Sequence, residues 1–410
     1  MISYSVIKVG LNDPDLHKSV QIALANVPVL LDQVEASYLG SPILDRRRLK
    51  ALTSLLNDIS QYRTQAQKKI DLVVFPEVSI PHAWQGMLVA WARKHNIGVI
   101  CGLEHRVSRH NEALNEVLAA LPYKTQKNRL ACLAISRLKR SYSPEEVFEL
   151  ENQGLKVPPK NRDAFQLIRW RGASFAIYNC YELASIEDRG LFKGKVDFII
   201  GTESNEDVNY FSNIVESAAR DLHCYVIQVN DSQFGDSRIV SPSKTEKMNP
   251  LRIKGGENLT FLTMRLDLKG LRDHQRKGYG LQKDSKAFKP TPPGIKRADV
   301  LERIRLGVVP PTSSKCLRFI VVFSIPHFGL PPFEAEREVS PRLCGSFDWH
   351  SETKSRRHQH CVAGVLITTI SRLARGRGSA AGDNRLSRKP KLQWESLPPN
   401  RNGVNCLHEL

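Results

Sequence analysis

Three short segments of the 410-residue chain each set a chemically versatile side chain directly behind a run of apolar, largely β-branched residues. "DLVVFPEVSIP" carries Glu77, "ISRLKRSYSPEEVFELE" carries Lys139 and "SFAIYNCYELASIEDRG" carries Cys180. Singly, each has an ordinary explanation: a charge after a strand is usually solvated, and a cysteine ending an apolar strand is usually a small buried hydrophobe. Together they compose a nucleophilic site. A free thiol has a pKa of about 8.5, so at neutral pH it needs a base or a positive neighbour. Glu can take the proton and later deliver it to a leaving amine, while a Lys ammonium offsets the negative charge of a tetrahedral intermediate. A strand end also holds the sulfur at the carboxyl edge of a sheet, where N–H groups of the following turn can face a developing oxyanion.

Such a site needs strands that end side by side, and the first 270 residues supply them. Apolar runs at 20–29, 70–76, 97–103, 116–123, 130–138, 174–180, 196–202, 224–230, 236–242 and 259–266 predict strands. Between them, Asp45 to Lys69, Trp84 to His95 and Phe211 to Leu222 space their apolar residues at helical intervals. The alternation is that of an α/β protein, and the short connections between 97 and 138 predict hairpins within a mixed sheet.

The net charge of +18 would ordinarily suggest nucleic acid or an anionic surface, but it is spread along the chain. From Thr291 to Leu410 there are 19 Lys and Arg against 10 Asp and Glu, half of the surplus, and no basic-aromatic motif stands out. The eight cysteines form no C-x-x-C pair and no His/Cys cluster, so neither a structural metal nor a disulfide framework is indicated. No secretory signal and no apolar run long enough to span a bilayer is evident, so a cytoplasmic chain without a membrane partner is expected. After about Ile295 the pattern changes to Arg, Pro and Ser with one weak strand candidate, Leu317 to Phe323. The division expected is a leader at 1–18, a main domain at 19–290 and a poorly ordered tail at 291–410.

The three segments resemble those of the carbon-nitrogen hydrolase, or nitrilase, superfamily. "VVFPE" is similar to the family's base segment, "LKRSYSPEE" to its lysine segment and "IYNCYELASIEDR" to its nucleophile segment, with "VDFIIGTESN", "ESAARDLHCYVIQVN" and "GDSRIVSP" following in the family's order. The resemblance spans roughly Ser19 to Leu268. It implies a four-layer α-β-β-α sandwich assembled as a homodimer, with Glu77 as general base, Lys139 as catalytic lysine and Cys180 as nucleophile. It further implies that the N–H of Tyr181 helps Lys139 hold the oxyanion, and that a second carboxylate after the lysine, Glu146 or else Glu145, orients lysine or substrate. The activity implied is hydrolysis of an amide, N-carbamoyl or nitrile group of a small molecule through a thioester, with no metal or organic cofactor.

Three positions depart from the family pattern. Ser141 stands where many relatives have His, Tyr142 where Leu is common, and the polar "EDVNYFSN" replaces a stretch that is usually aromatic or apolar. These departures, with the basic surplus, keep a second reading open: a nitrilase-like sensing or interaction module, of the kind fused to bacterial reverse transcriptases in phage defence, with nucleic acid as a partner left undecided. The chain itself has no Tyr-x-Asp-Asp polymerase motif.

Overall fold

The computed structural model describes residues 4–10, 12–160, 162–307 and the backbone of 366–368, all within one compact unit. One sheet runs in the order β12-β11-β10-β9-β8-β7-β1-β14, built from β12 (Leu251–Ile253), β11 (Ser237–Val240), β10 (Tyr225–Val229), β9 (Phe198–Thr202), β8 (Ala173–Asn179), β7 (Phe165–Trp170), β1 (Tyr4–Val9) and β14 (Leu366–Thr368). The other runs β13-β2-β3-β4-β5-β6, from β13 (Thr260–Asp267), β2 (Ser19–Asn26), β3 (Leu72–Val74), β4 (Gly98–Val107), β5 (Ala113–Lys124) and β6 (Leu130–Leu138). Strand β3 is parallel to both β2 and β4, whereas β4, β5 and β6 form an antiparallel meander, the mixed arrangement that the short connections predicted.

The sheets pack face to face because successive side chains point to opposite faces of a strand. Leu72 and Val74 of β3 face Phe175 and Ile177 of β8 in a shared inner core, while Val73 and Phe75 on one sheet and Ala176 and Tyr178 on the other turn outward. Helices cover both outer faces. On α2 (Arg46–Gln61), Leu52, Leu55, Leu56 and Ile59 recur at i, i+3, i+4 and i+7 and are buried with α3 (Gln85–His95). On α6 (Val208–Leu222), Phe211, Val215, Ala218, Ala219 and Leu222 do the same against the eight-stranded sheet. Each large apolar side chain so buried contributes roughly 1.5–3 kcal/mol. The layers are therefore α-β-β-α, as expected.

Both ends of the main domain lie further out than the sequence suggested. Tyr4–Val9, placed in a leader, is β1 and pairs in parallel with the whole of β7 from Tyr4 opposite Phe165 to Val9 opposite Trp170. Neither strand stood out, since Lys8, Gln166 and Arg169 interrupt their apolar runs. Helix α9 (Arg297–Arg305), placed in the tail, packs beside α7 (Leu268–Arg276). Its anchor is Arg303, which with Arg272 of α7 closes a fully buried cluster on Asp197. Asp197 also accepts from the Ser174 N–H, so its carboxylate stays charged and low despite burial, held there by the two guanidinium groups. The rest of the expected tail, including the strand candidate at Leu317 to Phe323, lies outside the described residues apart from β14.

Breaking a buried, hydrogen-bonded ion pair by removing one partner costs about 3–5 kcal/mol. Arg303→Ala should lower the unfolding free energy by about that much, read from the midpoint of a urea titration. An unchanged midpoint would mean that α9 is not part of the folded domain.

Candidate active site

Glu77 lies three residues beyond β3, after Phe75 and Pro76, and is 3% exposed. Its backbone is pinned by close approach. A Cβ at Gly102 of β4 would fall 2.4 Å from the Glu77 Cα, so glycine is needed there, and the next residue, Val78, is held at φ +52°. The Glu77 N–H reaches the Glu203 carbonyl beyond β9 in the other sheet at 3.3 Å. The side chain is fixed equally: Oε1 accepts from Lys139 Nζ at 2.8 Å and from Asn115 Nδ2 at 2.9 Å.

Lys139 follows β6, and its N–H bonds to the Asn115 carbonyl at 2.7 Å. Its ammonium is shared by two carboxylates, with Glu146 Oε2 at 2.6 Å, and lies 5.3 Å from the centre of the Tyr142 ring. Burial alone would lower the lysine, but Glu146 and Glu77 more than offset it and hold it well above its ordinary range. Glu146 is placed by local chemistry. Pro144 opens α4 (Pro144–Asn152), and Ser143 accepts from the Glu146 N–H at 3.1 Å while Glu146 Oε2 accepts from the Ser143 N–H at 3.4 Å. This capping box aims Glu146 at Lys139, which holds its carboxyl down at about 2 despite burial. Glu145, the neighbouring candidate, points instead to the cavity mouth and is exposed.

Cys180 follows β8 directly at φ +46°, a left-handed backbone that L-residues other than Asn and Asp rarely adopt. The chain then winds into a short 3₁₀ turn, Cys180–Ala184, so the Tyr181 N–H is among the opening donors that such a turn cannot satisfy internally. Glu182, two residues beyond the sulfur, is fully buried. It grips Arg137 with both oxygens, at 2.7 and 2.6 Å, and also accepts from the N–H groups of Arg140 and Asn179. Arg137 precedes Lys139 by two along the chain, hence Arg137–Glu182 ties the strand that ends at the lysine to the turn that holds the thiol. A second tie runs from Asn179 Nδ2 to Asn115 Oδ1 at 2.7 Å and from Thr202 Oγ1 to Asn179 Oδ1 at 2.9 Å.

Glu77, Lys139, Glu146 and Cys180 line one cavity of about 680 Å³, with Tyr181 beside the sulfur. Burial pushes the Cys180 thiol well up, Glu77 adds to this, and Lys139 only partly opposes it, so the resting thiol is neutral. All three side chains singled out first thus stand together at the strand ends, with Glu146 joined to them. Asn115, Arg137, Glu182, His105 and Glu203 were missed, since only their contacts across the sheets distinguish them. One signal was available: Glu182 stands two after Cys180, as Arg137 stands two before Lys139.

No family model matches the chain, and no curated protein does. Among solved structures, the α-β-β-α sandwich is similar to an amidase from Nesterenkonia sp. at 14% identity, with 66% of this chain and 97% of that one covered and a TM-score of 0.44. It is also similar to a CN-hydrolase superfamily protein from Xanthomonas campestris that carries an arsenic adduct in its active site, at 15% identity, 66% and 98% coverage and a TM-score of 0.43. A mutant of the Nesterenkonia amidase carries the acetamide moiety of fluoroacetamide on its active-site cysteine, at 13% identity, 66% and 97% coverage and a TM-score of 0.42. Among the described residues, no helix is long and apolar enough to cross a membrane.

Beyond β9, Glu203 is fully buried, with Oε2 accepting from Gln228 at 2.7 Å and Oε1 without a partner among the described residues. Burial raises its carboxyl to about 8, against the pull of Gln228, and Glu77 and Asp236 add to the rise. A carboxyl raised on folding stabilises the native state below its unfolded pKa of about 4.3, and that stability is lost as pH climbs toward the folded value. The melting temperature should therefore fall from pH 5 to about 8.5, and Glu203→Gln should flatten that fall. A parallel pH dependence in both proteins would contradict a neutral Glu203.

Proposed function

We propose that the chain is a hydrolase of non-peptide carbon–nitrogen bonds that acts through a thioester on Cys180. The observation that carries this reading is the shared cavity: a neutral thiol beside a carboxylate that is itself hydrogen-bonded to a buried ammonium. In an amide, Cys180 passes its proton to Glu77 as the sulfur bonds to the carbonyl carbon, and the C=O pair moves onto oxygen. Lys139 and the Tyr181 N–H hold that oxyanion. When it collapses, the C–N bond breaks and the amine leaves with the proton from Glu77. Water then gives a proton to Glu77 and adds to the thioester, and the acid is released as Glu77 reprotonates the thiolate.

Within this scheme Glu146 keeps Lys139 in place by a 2.6 Å bond rather than by touching the reacting carbon. A neutral resting thiol suits the scheme, because the base is needed only once substrate is bound. Amides, N-carbamoyl compounds and nitriles all present a carbon that this constellation can attack, and the amide is favoured because Glu77 can serve first as base and then as acid.

Ammonia release should be measured across panels of all three substrate types. Cys180→Ala should abolish it, and Lys139→Ala should cost at least the hundred- to thousandfold typical of losing one oxyanion donor, on the order of 10²–10³. Circular dichroism checks that Lys139→Ala still folds, since it leaves two buried carboxylates without their cation. Turnover retained by both variants would sink the proposal.

A further inference from the structure

The cavity carries a strong charge bias that the triad does not use. Among the described residues, Lys139 is the only Lys or Arg on its wall, and Glu77 and Glu146 already share it. Beyond them Glu145 and Glu149 on α4, Glu206 and Asp207 before α6, and Asp231 after β10 reach the wall, and none has an ion pair among the described residues. This acidity is local, for the chain as a whole has a net charge of +18.

Part of it has a structural use. Asp207 caps α6 by accepting from the Tyr210 N–H, Asp231 accepts from the Val29 N–H, and Glu145 suits the first turn of α4. Glu149 and Glu206 have no such duty; both are exposed, and neither side chain makes a hydrogen bond among the described residues. Like charge is already crowded there: burial raises the Glu149 carboxyl, and Glu145, Glu146 and Glu35 add to the rise.

A second, independent feature also asks for a ligand. His105 lines the cavity with its side chain 1% exposed, and neither ring nitrogen has a hydrogen-bond partner. Its nearest charged neighbour is Glu146, 3.6 Å from Nε2, beyond hydrogen-bond reach. Carboxylates offer only acceptors and an imidazole ring can offer an acceptor nitrogen beside its N–H, so a ligand that carries N–H donors can satisfy both features. Tyr38, Tyr210 and Phe234 also line the cavity, and aromatic rings attract cations over their faces.

We propose that the substrate carries a positive charge, an ammonium or guanidinium group, at the end remote from the carbon–nitrogen bond that is cleaved. The proposal rests on the hydrolase reading and deepens it by naming the class of substrate. Glu149 and Glu206, both on the cavity wall, would hold that charged end, while the scissile group lies at Cys180. An anionic ligand, a nucleic-acid strand included, would meet repulsion at the same mouth.

The test uses the full chain and three methanethiosulfonates of similar size: the 2-aminoethyl reagent, the methyl reagent and the 2-sulfonatoethyl reagent. Each transfers its thioalkyl group to the thiol, forming a disulfide and releasing methanesulfinate and a proton. Rates at Cys180 are read by peptide mass spectrometry, with each reagent's rate toward a free thiol as reference and the half-buried Cys132 as an internal control. The cationic reagent should label Cys180 about tenfold faster or more than the anionic one at low salt, with the neutral one between them. That preference should shrink in roughly 0.5 M salt and in the Glu149→Gln/Glu206→Gln double variant. Equal corrected rates, or a faster anionic reagent, would overturn the cationic-substrate proposal while leaving the nucleophile in place. Cys180 unlabelled by all three reagents while Cys132 reacts would overturn the nucleophile itself, and the proposal with it.

Discussion

One buried ammonium organises the interior of this molecule. Lys139 Nζ stands 2.8 Å from Glu77 and 2.6 Å from Glu146, with no side chain of the three more than about a seventh exposed. Desolvating these groups is costly, and only mutual compensation makes the cluster tolerable. Two carboxylates against one ammonium leave the cluster one negative charge in excess. Burial pushes the adjacent Cys180 thiol up, and Glu77 and Glu146 add to the rise against the pull of Lys139. In the proposed reaction, the same arrangement would set the order of events: substrate first, proton transfer second.

The cluster in turn depends on two sheets meeting in one register. Lys139 and Glu77 come from the six-stranded sheet and Cys180 from the eight-stranded one, and the apolar layer between them has no directional preference of its own. Direction comes from polar ties at the rim: Arg137 to Glu182, Asn115 to Asn179, and the Glu77 N–H to the Glu203 carbonyl. Each is buried, so each is expensive to leave unmade. They also end at residues adjacent or close to the reacting groups, and the left-handed backbone of Cys180 is held between two of them. Packing energy therefore makes the sandwich, and a few hydrogen bonds decide where its strand ends lie.

Much of this was legible in the sequence, for definite reasons. Glu77, Lys139 and Cys180 announced themselves because a polar residue after an uninterrupted apolar run is a local pattern, and Glu146 because Ser-Pro-Glu-Glu is a helix start. Asn115 left no such mark. It lies within β5 as one polar residue among apolar ones, and its importance rests on partners 38 and 64 residues away. Strands β1 and β7 were overlooked because charged residues on them break the apolar pattern, and α9 because a buried Arg303 reads as a solvated charge until Asp197 is seen beneath it. The acidic mouth was equally hidden, since Glu149, Glu206 and Asp231 come from three separate parts of the chain.

The central claim is that Cys180 becomes acylated while Glu77 and Lys139 manage its proton and its oxyanion. Acid-quenching the protein during turnover of an amide, followed by peptide mass spectrometry, tests it most directly. The account predicts that the Cys180 peptide gains the acyl group in place of its thiol hydrogen, that the adduct disappears as substrate is consumed, and that Cys180→Ala neither acquires it nor releases ammonia. Acid released at the full rate with the Cys180 peptide unmodified at every time point would contradict it.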